Sequence, residues 1–418
     1  MMNLFWRDSY LSIEKSYDDF LLDIQRKGVN NVYIKNKNPY EVFLALLRNI
    51  LNKKNNILLD ADFSEIELND LGISSEDIEK SGYEQNNIAL KYSSFQGIFE
   101  FFENSKEELS IDIYTSGTTG RPKKVSQNLN NIMRYVRKGN NHENNIWAFA
   151  YNPTHFAGLQ VFFQALLNQN TIIYVFGGDF RVNYDDIVKY KVTHISCTPT
   201  YMKMLLNYVV NENKIIRSLT FGGERFDDRI EKIIKNKFPN AQLKNVYASS
   251  EAGSLLASNG KCFKIPNRYK NLIKISENEE LIIHKTLLGD SESFQLNGEW
   301  YHTGDLVEFT KNDGGFVFKN RISDFINVGG YKVNPSEIEE LLKNIDNVKD
   351  ALIMGKKNSL IGNVLVAYII LNREEDKKIK KNQIITTLKK TLQDWKVPQI
   401  IKFVDTFELT RTGKIKKI

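Results

Sequence analysis

Apolar runs that stop at glycines or turn residues alternate with helical patterns through roughly the first 320 residues, and this alternation restricts the fold most. A strand ending in a turn, followed by a helix and another strand, builds layers of helices on a largely parallel sheet. Thr171 to Phe176 predicts a buried strand stopped by Gly177-Gly178, Asp185 to Lys191 a short helix, and His194 to Cys197 the next strand. Leu219 to Phe221, ended by Gly222-Gly223, and Leu243 to Tyr247 repeat the scheme. Ligands of such sheets bind at the carboxyl ends of strands. The glycines and hydroxyls of this chain collect at those ends.

The pattern changes after about residue 321. Asn334 suits an N-cap, Pro335 the first helical position, and Glu337 a capping-box partner. Ile338, Leu341, Leu342 and Ile345 then form one apolar stripe at helical spacing. Strands at Ala351 to Met354 and Val364 to Leu371, a helix near 382–394 and a strand from Ile400 to Val404 follow. The expectation is an α/β chain: a large N-terminal α/β domain of layered sheets and helices, residues 1–321, and a small α+β C-terminal domain, residues 322–418. A length of 418 residues accommodates both.

Composition excludes several classes. With 41% hydrophobic and 26% charged residues the chain is an ordinary folded one, not a disordered one. The N-terminus lacks the basic and apolar regions of a signal peptide, and no run of about 18 apolar residues occurs. A soluble, cytoplasmic protein without a membrane partner is expected. Cys197 and Cys262 lack metal-ligand spacing and cannot form a disulfide framework, so both read as small apolar fillers in a reducing compartment. Residues 322–418 hold 18 basic and 12 acidic residues, so the whole +6 excess of the chain lies there. That excess is a solvated face or an attraction to a polyanion such as a nucleotide, CoA or an acidic carrier protein. Lys377-Lys378 and Lys380-Lys381 have no interleaved aromatics, which disfavours nucleic acid.

The densest chemistry lies at Tyr114-Thr115-Ser116-Gly117-Thr118-Thr119-Gly120-Arg121-Pro122-Lys123-Lys124, directly after the strand-like Ile111 to Ile113. Glycines let backbone N–H groups converge on phosphate oxygens, hydroxyls donate to them and Lys123 balances charge. A polar strand-to-helix turn would use similar residues. The spacing of a Walker A loop is absent.

Together with further motifs in the same order, this segment resembles the phosphate loop of the adenylate-forming enzyme superfamily. That superfamily includes acyl- and aryl-CoA synthetases, nonribosomal-peptide adenylation domains and luciferase. The likeness runs from about residue 110 to the C-terminus, and the chain looks like a short variant resembling bacterial aryl-CoA ligases. Asn152-Pro153-Thr154-His155-Phe156-Ala157-Gly158 resembles the motif whose histidine lies between acid pocket and thiol tunnel, which implies substrate positioning by His155. Phe221-Gly222-Gly223-Glu224 is similar to the turn against adenine, implicating Gly223 and Glu224. Tyr247-Ala248-Ser249-Ser250-Glu251 is similar to Tyr-Gly-x-Thr-Glu, with Tyr247 on adenine, Ser250 on the α-phosphate and Glu251 on magnesium. Ala248 stands where the family has glycine at the border of the acid pocket, and Ser250 where it has threonine.

Tyr301-His302-Thr303-Gly304-Asp305 and Arg321 resemble the two ribose contacts, and Ser323-Asp324 the hinge. Val328-Gly329-Gly330-Tyr331 resembles the loop that swings toward the pantetheine channel, and Thr410-Arg411-Thr412-Gly413-Lys414 the motif whose lysine serves adenylation. The resemblance implies ATP and Mg2+, a small carboxylic acid, and a mobile C-terminal domain. The activated acyl group goes to a thiol, either CoA or the phosphopantetheine of an acyl carrier protein. An inactive nucleotide-binding relative acting in a complex would keep the fold without needing Lys123, Glu251, Asp305, Arg321 and Lys414 together. The N-terminal subdomain is trimmed relative to the family.

Overall fold

The structure is a computed structural model that describes residues 3–84, 92–106, 108–116, 122–226, 228–310, 314–328, 331–358, 362–411 and 414–416. Its largest sheet has eight strands, in the order Gly253–Ser258, Gln242–Ser249, Ser218–Gly222, His194–Cys197, Ile146–Phe149, Thr171–Tyr174, Leu4–Asp8 and Ile13–Ser16. The six inner strands run parallel and only the two edge strands are antiparallel. Parallel strands covered on both faces need apolar residues on both, which explains their unalternating hydrophobic runs. One face packs under Phe5, Trp6, Phe43, Phe149 and Phe162. The other packs under Ile173, Ile195, Leu219, Phe221 and Ile234.

The N-terminal residues, which carry no motif, are part of this sheet. Phe5 and Trp6 are fully buried and lie against Phe20, Tyr40 and Phe43. Each contributes about 3 kcal/mol of apolar burial.

Among the described residues four smaller sheets complete the frame, one of them only the pairing of Val29–Asn31 with Gly82–Glu84. In a four-stranded one, Ser110–Ser116 and Pro122–Asn128 pair antiparallel and hold the ends of the hydroxyl-rich loop. In a five-stranded one, Trp300–Phe309 pairs with Phe316–Arg321. The last comprises Tyr331–Val333, Ile326–Val328, Gly362–Leu371, Val348–Asn358 and Ile400–Phe403. The helices Pro335–Lys343 and Lys377–Lys389 contribute Ile338, Leu342, Ile384 and Leu388 to a separate core there. No helix among the described residues is long and apolar enough to cross a membrane.

Four local expectations are corrected. The helix placed at Asp185 to Lys191 spans Phe180–Lys189, because Asp179, just after the paired glycines, caps it by accepting from the Arg181 N–H at 2.7 Å. The helix placed at 382–394 spans Lys377–Lys389, capped by Asp376. Its Lys380 is 1% exposed and ion-paired with Glu375 at 3.0 Å, so part of the basic run is interior, not a solvated face. Asn334 and Pro335 begin their helix as expected, but Glu337 closes no capping box and instead accepts from Lys396 at 2.9 and 3.1 Å.

Candidate active site

Register builds the first part of the site. Asp305 and Arg321 face each other across the pairing of Trp300–Phe309 with Phe316–Arg321, and Arg321 Nε lies 3.4 Å from Asp305 Oδ1. The Tyr247 hydroxyl donates to Asp305 Oδ2 at 2.7 Å, and its ring stacks on Phe318 at 4.4 Å. Burial raises the Asp305 carboxyl above its ordinary value, while Arg321 and Tyr247 oppose the shift. Burial and the Asp305 charge push the Tyr247 phenol far up, so it remains a donor.

Gly304, at φ +75°, turns the chain before Asp305. Its N–H donates to Glu280 Oε1 at 2.7 Å, and Glu280 Oε2 lies 2.7 Å from His302 Nδ1. A buried carboxylate outside the motifs thus holds the turn that aims Asp305.

The second part comes from the tail. Lys414 is half-buried against Gly223, whose φ of +80° and missing side chain make room: a Cβ there would stand 3.3 Å from Lys414 Cε. Burial lowers the Lys414 ammonium; Glu224, Glu251 and Asp305 hold it up, and Arg321 adds to the lowering. Glu224 also accepts from the Thr200 N–H at 3.0 Å, at the start of the helix Pro199–Leu206. Five of the residues singled out by the motifs, Glu224, Glu251, Asp305, Arg321 and Lys414, therefore share one electrostatic environment.

Lys414 and Gly223 border a cavity of about 310 Å³ that Ala248, Ser250, His155 and Asn152 also line. Gln127, fully buried, donates to the carbonyls of Ser250 and Glu251 at 2.7 and 2.9 Å, and the Gly289 N–H donates to the Glu251 carbonyl at 2.7 Å. With its backbone tied down, Glu251 presents one carboxylate close to Arg321 and Lys414. Among the described residues no three His, Cys, Asp or Glu cluster as a metal cage. A lone carboxylate fits magnesium that takes its other ligands from phosphates and water.

A third group was not foreseen. His155 Nε2 lies 3.2 Å from Asp60 Oδ1, and Asp60 also accepts from Thr154 and from Asn152 Nδ2, the latter at 3.1 Å. Burial alone would raise the Asp60 carboxyl, yet His155, Thr154 and Arg411 bring it below its ordinary value. Arg411 donates to Asp62 Oδ2 at 2.7 Å and to both oxygens of Glu67 at 2.7 and 3.1 Å, and lies 5.0 Å over the Phe63 ring. The two N–H···O bonds to one carboxylate form a planar fork. These partners precede the motif-bearing region. The one readable signal near them, Ser64 with Glu67 as a capping box, explains a helix start but not an arginine clamp.

Thr115 and Lys123 pair across their hairpin, Ser116 pairs in register with Pro122, and Lys123 is exposed. Among the described residues no hydrogen bond or ion pair joins Lys123 to Asp305 or Lys414. Gly117, Thr118, Thr119, Gly120, Gly329 and Gly330 lie outside the described residues. Ser323 and Asp324 are exposed in the single turn Ile322–Asp324 directly after Arg321.

A parallel sheet with Glu224 and Glu251 just past its strand ends, faced by Asp305 and Arg321 of a second sheet and by Lys414 of the tail, beside a cavity, defines a nucleotide-handling α/β enzyme with room for a second small ligand. The profile of the AMP-binding enzyme family matches residues 51–274, more than half of the chain, and that of the AMP-binding enzyme C-terminal domain matches residues 337–414. The chain belongs to the AMP-binding enzyme family.

Among its relatives, the 2-succinylbenzoate–CoA ligase of Staphylococcus epidermidis is 25% identical over 337 residues, 74% of this chain and 69% of the relative. Bacitracin synthase 3 of Bacillus licheniformis is 25% identical over 407 residues, 88% of this chain but 6% of that synthase. The fold matches o-succinylbenzoate CoA synthetase from Bacillus subtilis, solved with its acyl-adenylate intermediate. That likeness has a TM-score of 0.70 at 18% identity and covers 99% of this chain and 94% of that one.

Proposed function

We propose that the chain activates a small carboxylic acid with ATP and passes the acyl group to the thiol of CoA. The acid's carboxylate oxygen attacks the α-phosphorus and pyrophosphate leaves, giving an acyl-adenylate. The thiolate sulfur then attacks the acyl carbon and AMP leaves. Such phosphoryl chemistry needs orientation and charge stabilisation more than a protein nucleophile.

The observation that carries this reading is the convergence of Asp305, Arg321 and Glu251 around the tail lysine Lys414, which itself lines the cavity. Asp305 can accept from both ribose hydroxyls while Arg321 fixes its orientation, and Lys414 can bridge the acid's carboxylate and the α-phosphate. His155, oriented by Asp60, separates the acid from the entering thiol. Magnesium would be held by Glu251 together with phosphate oxygens and would neutralise phosphate charge. Thr115, Ser116, Gly117, Thr118, Thr119, Gly120 and Lys123 would surround the phosphates.

We further propose that residues 1–321 and 322–418 act as two bodies turning about Ser323-Asp324, with Gly329 and Gly330 reaching the thiol channel. The pairs that cross between them, Lys203–Asp350 at 3.3 Å, Arg225–Glu340 at 3.1 Å and those of Arg411, are polar, which suits a reversible contact.

Acid-dependent exchange of pyrophosphate into ATP tests the first half-reaction, and thioester formation with CoA against a pantetheinylated carrier protein tests the acceptor. The match to bacitracin synthase 3 gives the carrier its standing as the second candidate. No exchange over a broad acid panel would leave a nucleotide-binding protein without ligase activity.

A further inference from the structure

The far end of the cavity carries positive charge that the reaction itself does not use. Alternation along parallel strands puts His194 and Ser196, Ser218, Thr220 and Gly222, and Lys244, Val246 and Ala248 on one face of the sheet. All of them line the cavity. Gly222 is in register with Val246, Thr220 with Lys244, and Ser218 with His194. At about 3.3 Å per residue, Lys244 stands roughly 7 Å and His194 roughly 13 Å along the strands from the Gly222 row, next to which Lys414 enters.

The wall is wrong for a plain hydrocarbon tail. Ser218 and Thr220 line it, and a fatty chain would leave their hydroxyls without water or partner. On the opposite helix, Gln160 accepts from Ser254 at 2.7 Å and Gln164 exchanges hydrogen bonds with the Arg137 backbone at 2.8 and 2.9 Å, so both amides are already engaged. Lys244 and Arg137 are different: among the described residues neither side chain has a hydrogen bond or ion pair, though both line the same end of the cavity with His142, Trp147 and His194.

Burial and the neighbouring Arg137 lower the Lys244 ammonium. Burial, Lys244, Arg217 and His142 lower the His194 imidazole to about 4, which makes it a neutral hydrogen-bonding group near pH 7. Cations placed side by side without a counter-charge are stabilised by an anion between them.

We propose that the acid carries a second anionic group, a distal carboxylate or its equivalent, which Lys244 and Arg137 receive with His194 as a neutral partner. The substrate class is then a dicarboxylic acid whose two ends are separated by roughly 7–13 Å, the strand rise between the two ends of the cavity. This rests on the ligase reading above, and the test separates the two.

The experiment is pyrophosphate exchange with a ladder of α,ω-dicarboxylic acids from succinate to dodecanedioate and with 2-succinylbenzoate, each beside a derivative in which the distal carboxylate is a methyl ester. The expected result is an optimum length and a kcat/KM for the diacid roughly ten- to a hundredfold above its ester, the range of a charge-assisted hydrogen bond. In Lys244→Met that ratio collapses toward one. In Lys244→Glu an ω-amino acid of the optimal length overtakes the diacid. Exchange that is equal for diacid and ester in the unmodified enzyme overturns the inference and leaves the ligase reading intact. An ester preference, or a ratio unchanged in Lys244→Met, overturns it equally. Exchange with no acid at all removes the ligase reading and this inference with it.

Discussion

The two charged halves of the site are built by opposite means. Asp305 and Arg321 sit on paired strands of one sheet, in register, with Tyr247 bonded to Asp305 and Glu280 holding the Gly304 turn before it. Lys414 arrives on a tail whose guanidinium clamp, Arg411, meets Asp62 across 349 residues of sequence. The first half lies within one pair of strands; the second is held by polar contacts of the tail with Asp62 and Glu67. The domain turn proposed above would use such a difference, because polar contacts can be exchanged for water and a packed hairpin cannot.

The largest expected effect falls on the docked half. Lys414→Ala should lower acid-dependent pyrophosphate exchange by about 10²–10³-fold, the usual cost of removing a preorganised charge from a transition state. Thioester formation from chemically supplied acyl-adenylate should change little. Equal losses in both steps would mean that Lys414 supports the fold and not the first reaction. Next, Asp305→Ala should raise the KM for ATP roughly ten- to a hundredfold, since it removes charge-assisted bonds from a pocket otherwise intact. If kcat falls instead while KM holds, Asp305 acts on the reacting atoms and the contrast between a binding half and a catalytic half fails.

These two halves also differ in how far they could be read from sequence. The strand His194 to Cys197 was legible residue for residue, because a short segment between a helix end and the helix-starting Thr198-Pro199 leaves little choice. Asp305 and Arg321 were legible as a pair through their motifs, and register supplies the physical reason. Lys414 was legible only through resemblance, since a lysine in a lysine-rich tail has no local signature. Asp60, Asp62 and Glu67 were not legible as site residues: their partners His155 and Arg411 lie far along the chain, and no periodicity encodes a contact at such separation. Lys380 failed for a related reason, because its burial depends on Glu375 and on the Asp346 carbonyl, not on its basic neighbours. Glu280 and Gln127 hold functional turns from outside every motif.

The clamp can be loosened without touching the lysine. Arg411→Gln should lower pyrophosphate exchange by roughly three- to tenfold, the sum of a few partly exposed pairs, and leave thiol transfer to supplied adenylate unchanged or faster. Added salt should erode the difference between the two proteins, because these pairs face solvent. A loss that salt does not touch would point to Arg411 shaping the tail itself instead of docking it.

The smallest effect tests the same clamp by its proton. Pairing with Arg411 and the Ser64 cap hold the Glu67 carboxyl down, from 4.5 to about 2. A carboxyl lowered by docking favours the docked state above its undocked value and ceases to do so as pH falls. The advantage of the unmodified enzyme over Glu67→Gln in pyrophosphate exchange should therefore be constant from neutral pH to about 5. It should then shrink as pH falls below the value the carboxyl has with the Ser64 cap alone, by at most a factor of about ten per pH unit. Each rate is compared with the variant at the same pH, so general acid loss of activity cancels. A ratio that stays flat through this range, or grows, would mean that Glu67 serves only as the cap of its own helix, and the Arg411 clamp would then rest on Asp62 and the Phe63 ring.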